Sequence, residues 1–242
     1  MIKINWYPTV QNILGSNITH QEVNIVYIPP EPAYKYFLEK YANARYVLCP
    51  AFSDYLKNTF IIRSPYDFVV TLNREQGSIS IDRHGQDFFN NNIKMTYIEG
   101  SFVLQLPPRM IFIPENNESI MVTSLPLMLD PNPLSIIPGT FDISKWVRPI
   151  EIAIQVHNEE KIVFKRGDPL MMLKFTSSNN DSIQLEQKII DENVIALTSA
   201  CVRVKNTNPS LNLKTLYKMA NFYVLKMRKT IFENDKQKEQ EK

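Results

Sequence analysis

The ribbon from Pro138 to Phe175, PGTFDISKWVRPIEIAIQVHNEEKIVFKRGDPLMMLKF, constrains the fold of this chain more than any other stretch. It opens on Pro-Gly, reaches Asp142, then alternates Ile150, Ile152, Ile154 and Val156 with other residues. A period of two sets every second side chain on one face of a sheet. Gly139 is predicted to take positive φ where the chain reverses, with Asp142 capping or hydrogen bonding inside that turn. His157-Asn158-Glu159-Glu160 and Arg166-Gly167-Asp168 are predicted as hairpin turns around a second strand, and Leu170 to Phe175 as a third.

The same punctuation extends upstream. Strands are predicted over 58–63, 68–73, 78–82, 101–106, 109–114, 119–125, 149–157, 161–165 and 170–175, broken by prolines, glycines and the Asn116-Asn117 pair. Asp87 to Asn92 reads as a loop. Closely spaced strands without intervening helices predict a mainly β fold, a barrel or sandwich, not a parallel α/β sheet. Residues 1–50 read as an N-terminal extension packed on the body, with alternation at Ile2, Ile4 and Trp6 and again at Val23, Ile25 and Tyr27. Within it Pro29-Pro30-Glu31-Pro32 opens a short helix from Ala33 to Ala42, whose stripe is Tyr34, Phe37, Leu38 and Tyr41. Residues 51–200 form the β domain. Residues 201–242 carry a long amphipathic helix, with Ser210 as N-cap and Leu213, Leu216, Tyr217, Ala220, Tyr223, Val224, Met227 and Ile231 as its apolar stripe. Past Phe232 the polar tail is predicted to fray.

Composition narrows the function classes. An apolar fraction of 44% excludes global disorder, and a net charge of +2 from 27 basic and 25 acidic residues gives no reason to expect nucleic acid or an anionic membrane as partner. Two cysteines, Cys49 and Cys201, rule out a disulfide framework and make a thiolate metal site a poor reading; both are predicted as buried, reduced thiols of a cytoplasmic protein. The first residues lack a signal-peptide pattern, and no window has the apolar length of a membrane span. The histidines His20, His84 and His157 share no metal-ligand spacing, and only Asp82 with His84 suggests a small polar site.

The 138–175 ribbon resembles the core of the dUTPase and dCTP-deaminase superfamily, a β-clip or jelly-roll-like fold that forms trimers. The resemblance rests on Pro138-Gly139-Thr140-Phe141-Asp142, the strand running to His157-Asn158, and Gly167-Asp168 before the last strand. It implies Asp142 as the residue that orients the attacking water, and a ligand site around Gly139, Lys145 and Trp146. A turn-stabilising Asp142 accounts for the same residue. The family's stacking aromatic falls where Lys145 stands, with Trp146 one step away, and the upstream region SIMVTSLPLMLD lacks the expected Arg-Ser-Ser. Pro169 follows Gly167-Asp168 in place of Arg, and no glycine follows Gly167 to build a phosphate-clamping arm. Separately, Cys49 to Asn73 together with 141–175 resembles an uncharacterised family encoded by tailed phages of marine bacteria. That resemblance places the chain in the host cytoplasm or a virion.

These readings converge on a non-catalytic, phage-type β scaffold acting by binding or assembly, as a homo-oligomer, with a trimer implied by the superfamily. No cofactor is expected. The alternatives are a divergent nucleotide hydrolase or deaminase using Asp142 and Mg²⁺, or nucleotide binding alone, and a protein that sequesters a small molecule in an apolar pocket.

Overall fold

The computed structural model describes residues 1–9, 28–65, 67–81, 94–98, 100–106, 110–115, 118–127, 134–157, 161–207 and 210–240. Among the described residues the chain is mainly β, with fifteen strands in four sheets and four α-helices. No sheet closes on itself among these residues, which corrects the expectation of a barrel. The strand predicted at Val23, Ile25 and Tyr27, the loop Asp87 to Asn92, and His20, Asp82 and His84 lie outside the described residues.

Alternation at the start of the chain builds the strand β1 (Ile2–Pro8). It is the centre of the first sheet, antiparallel to β8 (Met110–Pro114) and parallel to β15 (Ile183–Gln187). Ile2, Ile4 and Trp6 enter the main core, while Tyr7 faces the other way with Ile111 and Ile113. The leading segment is thus woven into the body by its first strand. The second sheet runs β10 (Leu134–Ile137), β12 (Ile152–Val156), β7 (Ser101–Leu106), β6 (Lys94–Ile98). The third runs β11 (Thr140–Asp142), β9 (Ile120–Leu125), β14 (Pro169–Ser177), β3 (Thr59–Arg63), β2 (Glu31–Pro32), and the fourth β13 (Lys161–Phe164), β4 (Phe68–Asn73), β5 (Ser78–Ile81). Apolar residues from all four sheets meet in the main core.

The Pro138–Phe175 ribbon is distributed over three of these sheets. β12 pairs with β7 and β10, and β13 pairs with β4, so His157 does not begin a hairpin between them. Nor is 166–168 a hairpin turn, since β14 pairs with β9 and β3. Gly167 does take positive φ, +89°, in a tight turn closed by Asp168 N–H donating to Lys165 O at 3.2 Å. Gly139 does not take the left-handed conformation; its N–H donates to Ser124 Oγ at 2.9 Å and its carbonyl accepts from Ser124 N–H at 3.0 Å. β9 thereby holds the Pro-Gly step extended, and the reversal comes later, after Asp142.

Helices cover two outer faces. α1 (Ala33–Lys40) and α2 (Pro50–Tyr55) lie against the third sheet, where Ala33, Tyr36 and Phe37 pack with Ile61 and Met172. The docked stripe is rotated from the predicted one, leaving Tyr34 and Leu38 exposed, because Pro32 ends β2 and places Ala33 directly over the sheet. α3 (Glu192–Thr207) and α4 (Leu213–Gln240) cover the reverse face of the first sheet through Val194, Leu197, Cys201, Leu216, Ala220 and Val224. The first of this pair begins ahead of residue 201, with Asp191 Oδ1 accepting Val194 N–H at 2.9 Å. α4 is capped by Asn212, whose Oδ1 accepts Thr215 N–H at 3.0 Å, and not by Ser210. It continues to Gln240 where fraying was predicted; its last turns are rich in Glu, Lys and Gln, all good helix formers, with no Gly or Pro.

Candidate functional site

Asp142 ends β11, the short strand paired with β9 through Thr140↔Thr123, Phe141↔Val122 and Asp142↔Met121. Its carbonyl accepts the N–H groups of Lys145 (3.2 Å) and Trp146 (2.9 Å), so the chain coils at once into a single turn. The side chain, 3% exposed, locks that turn from within. Oδ1 accepts Ser144 N–H at 2.9 Å and also the Ser144 hydroxyl. Oδ2 accepts Ser119 Oγ–H at 2.5 Å and the Lys145 ammonium at 2.7 Å. Its N–H donates to the Tyr217 hydroxyl of α4 at 3.0 Å. Burial opposes the charged carboxylate, but the bonds from Lys145, Ser119 and Ser144 together outweigh it and hold the pKa below the ordinary aspartate value. Burial pushes the Tyr217 phenol up. Asp142 therefore joins the residue before β9 and its own turn through its carboxylate, and α4 through its backbone N–H.

The four residues singled out in the sequence separate into two pairs. Asp142 and Lys145 form the ion pair just described, with the Lys145 side chain 48% exposed. Gly139 and Trp146 instead line a cleft of about 240 Å³ between the third sheet and the α3–α4 pair. Trp146 is buried and packs on Tyr217 with ring centroids 6.1 Å apart. Phe141, Leu173 and Leu216 add apolar wall, and Arg148, Glu151 and Lys205 add charge. A Cβ on Gly139 would meet only Ser124 Oγ at 3.9 Å, so the glycine is not what opens this cleft.

Sequence reasoning missed Arg148, Glu151 and Lys205, as it missed Ser119, Ser144 and Tyr217 around Asp142. Arg148 stands two places after Trp146 in the ribbon, which was the available signal; Lys205 belongs to a helix the sequence did not reveal. Arg63-Ser64 has a structural partner, the 165–168 turn: Arg63 Nη1 donates to Gly167 O at 2.8 Å and Ser64 N–H to Asp168 O at 2.7 Å. Cys49 is exposed, correcting its predicted burial, because it stands at the bend leading into α2. Cys201 is buried, and desolvation pushes its thiol up to about 11. His157 joins Ser135 Oγ at 2.6 Å. Among the described residues no three His, Cys, Asp or Glu side chains gather as a metal site, and no helix is long and apolar enough to cross a membrane. No family model, curated protein or solved structure matches the chain.

Proposed function

We propose that this chain is a β-clip-type scaffold that acts by binding and self-association, with Asp142 serving as a structural fastener. The observation that carries this reading is the engagement of both Asp142 oxygens by Ser144, Ser119 and Lys145 inside a folded turn. A carboxylate so occupied has no lone pair directed at a water in the cleft, and it does not line that cleft. The β-clip reading draws its support from the Pro138–Phe175 ribbon, whose Pro-Gly-x-x-Asp step forms β11 and leads through Trp146 and Arg148 to β12.

The partner is a second copy of the chain, seated on α4. Leu216, Ala220 and Val224 dock this helix, whereas Met219, Phe222 and Tyr223 on the adjacent flank are exposed, Phe222 by 70%. The Phe222 and Tyr223 rings meet edge-on at 5.8 Å, forming one apolar ridge. Charge argues for self-pairing: before Phe232 α4 carries Lys214, Lys218, Lys226, Arg228 and Lys229 and no acidic residue, whereas after it Glu233, Asp235 and Glu239 outnumber Lys236 and Lys238. Two antiparallel copies set each strongly basic stretch beside the other's weakly acidic end. Light scattering on the purified chain is expected to give twice the chain mass. A threefold mass would replace this pairing with the trimer implied by the superfamily resemblance, and a single-chain mass would overturn assembly altogether. Turnover of a deoxynucleotide with Mg²⁺ that disappears in Asp142→Ala would overturn the non-catalytic reading.

A further inference from the structure

The cleft between the third sheet and the α3–α4 pair holds two cations, Arg148 and Lys205, against a single carboxylate, Glu151. Arg148 reaches it from the segment after the Asp142 turn, and Lys205 from the last turn of α3. The Arg148 side chain is only 19% exposed, and its Nε is sealed from solvent without a hydrogen-bond acceptor among the described residues. Its nearest carboxylate, Glu151, stands 3.8 Å away, beyond hydrogen-bonding distance. The Phe141 ring centroid lies 5.9 Å from the guanidinium. Burial, and then the charge of Arg148, push the Lys205 ammonium below its ordinary pKa, with Glu151 opposing only in part. Two cations held together against apolar wall raise the free energy of the empty protein, and an anion between them lowers it. At about 240 Å³ the cleft falls below the roughly 300–1,000 Å³ of drug-sized pockets, so the occupant is small.

We propose that this cleft binds a small organic anion, one carboxylate or phosphate group on an apolar body, with the anionic group between Arg148 and Lys205 and the body against Trp146 and Leu216. This site is independent of self-association through α4, which the assembly mass reads separately. The test is calorimetric titration of the full chain with benzoate, phenyl phosphate, inorganic phosphate and neutral benzyl alcohol, alongside the Trp146 indole resonance. At least one organic anion should bind about tenfold or more tightly than both benzyl alcohol and inorganic phosphate, shifting that resonance. Whichever of benzoate and phenyl phosphate binds better identifies the anionic group. Lys205→Met, on the rim of the cleft, should weaken that binding about tenfold, and Glu151→Gln should tighten it by removing the competing carboxylate. Arg148→Gln should weaken it further where circular dichroism confirms the fold. Failure of both organic anions to bind at millimolar concentration, equal binding of the neutral probe, or an affinity unmoved by Lys205→Met would each overturn the proposal.

Discussion

A buried carboxylate is costly until its lone pairs are filled, and Asp142 fills them from three residues that approach from different directions. Ser144 belongs to the same turn, Ser119 precedes β9, and Lys145 folds back from the turn's outer side. Removing the acceptor strands the Ser144 N–H inside the protein, while the half-exposed Lys145 simply returns to water. Asp142→Ala is therefore expected to destabilise the fold by about 2–4 kcal/mol, mostly through the unsatisfied donor and little through the ion pair. Asp142→Asn keeps one acceptor and should cost less. Because the folded-state pKa of Asp142 lies below its unfolded value, the native state binds fewer protons. Its contribution is whole above the unfolded pKa and disappears as pH falls through the folded value. Glu186, held down chiefly by its bond from Lys188, shares this acid limb, so the informative quantity is the difference between two chains. Urea unfolding of wild type and Asp142→Asn between about pH 5 and 3 should bring the two stabilities together as pH falls. A constant gap across that range would remove the linkage assigned to Asp142.

At the scale of elements, the turn at 165–168 shows how two neighbouring strands are sent to different sheets. β13 leaves the fourth sheet and β14 enters the third, and the change of direction is taken up at Gly167, φ +89°. Arg63 Nη1 and Ser64 from β3 and its exit hold the turn's carbonyls, and the Arg63 guanidinium also pairs with Glu31. Gly167→Ala would force a side chain into the left-handed region and bring a Cβ within 3.3 Å of Ile28 Cδ1. A loss of about 1–2 kcal/mol is expected, read as a lower urea midpoint with unchanged slope; unchanged stability would mean the turn relaxes to another geometry. A turn at Arg166-Gly167-Asp168 was legible in the sequence, though not that it links two sheets in place of a hairpin; β3, β4, β7 and β14 were legible too, because their buried faces impose clear patterns. The strands that went unread, β2, β6, β10, β11 and β15, all lie at sheet edges, where one ladder is missing and burial is incomplete. α3 was hidden by Val194, Ile195, Thr198, Val202 and Val204, β-branched residues that favour strand locally; its Asp191 cap with Val194, Leu197 and Cys201 beyond it was the usable sign. Pairing was illegible for a further reason. Which sheet β12 or β13 joins is decided by partners far along the chain. The cleft depends on that outcome, so Arg148 and Lys205 could not be connected in advance.

Across the whole molecule, β1 binds the beginning of the chain to β15 shortly before the helices begin, and α3 and α4 then cover the sheet face that this pairing creates. Tyr7, Ile111, Ile113 and Trp146 would lie open to water without them, so the helix pair is part of the body and not an appendage. Over 213–226, where its side chains are described, α4 docks by one side. Its docked residues Leu216, Ala220 and Val224 recur every fourth position, the spacing of a single narrow stripe, and Phe222 lies well round the helix from it. A substitution there consequently separates assembly from folding. Phe222→Glu removes the most exposed aromatic of the ridge and places a charge where the partner's apolar surface must desolvate, while touching nothing in the three cores. The variant should keep the wild-type circular dichroism and urea midpoint at low protein concentration, yet scatter as a single chain where wild type scatters as two. Antiparallel charge pairing adds a second signature: added salt should shift wild type toward the single chain, since exposed pairs are screened beyond about 10 Å at 0.1 M. If Phe222→Glu retains the wild-type mass, the ridge is not the contact. Association that strengthens with salt would instead leave the apolar ridge as the driving surface and remove the antiparallel charge register.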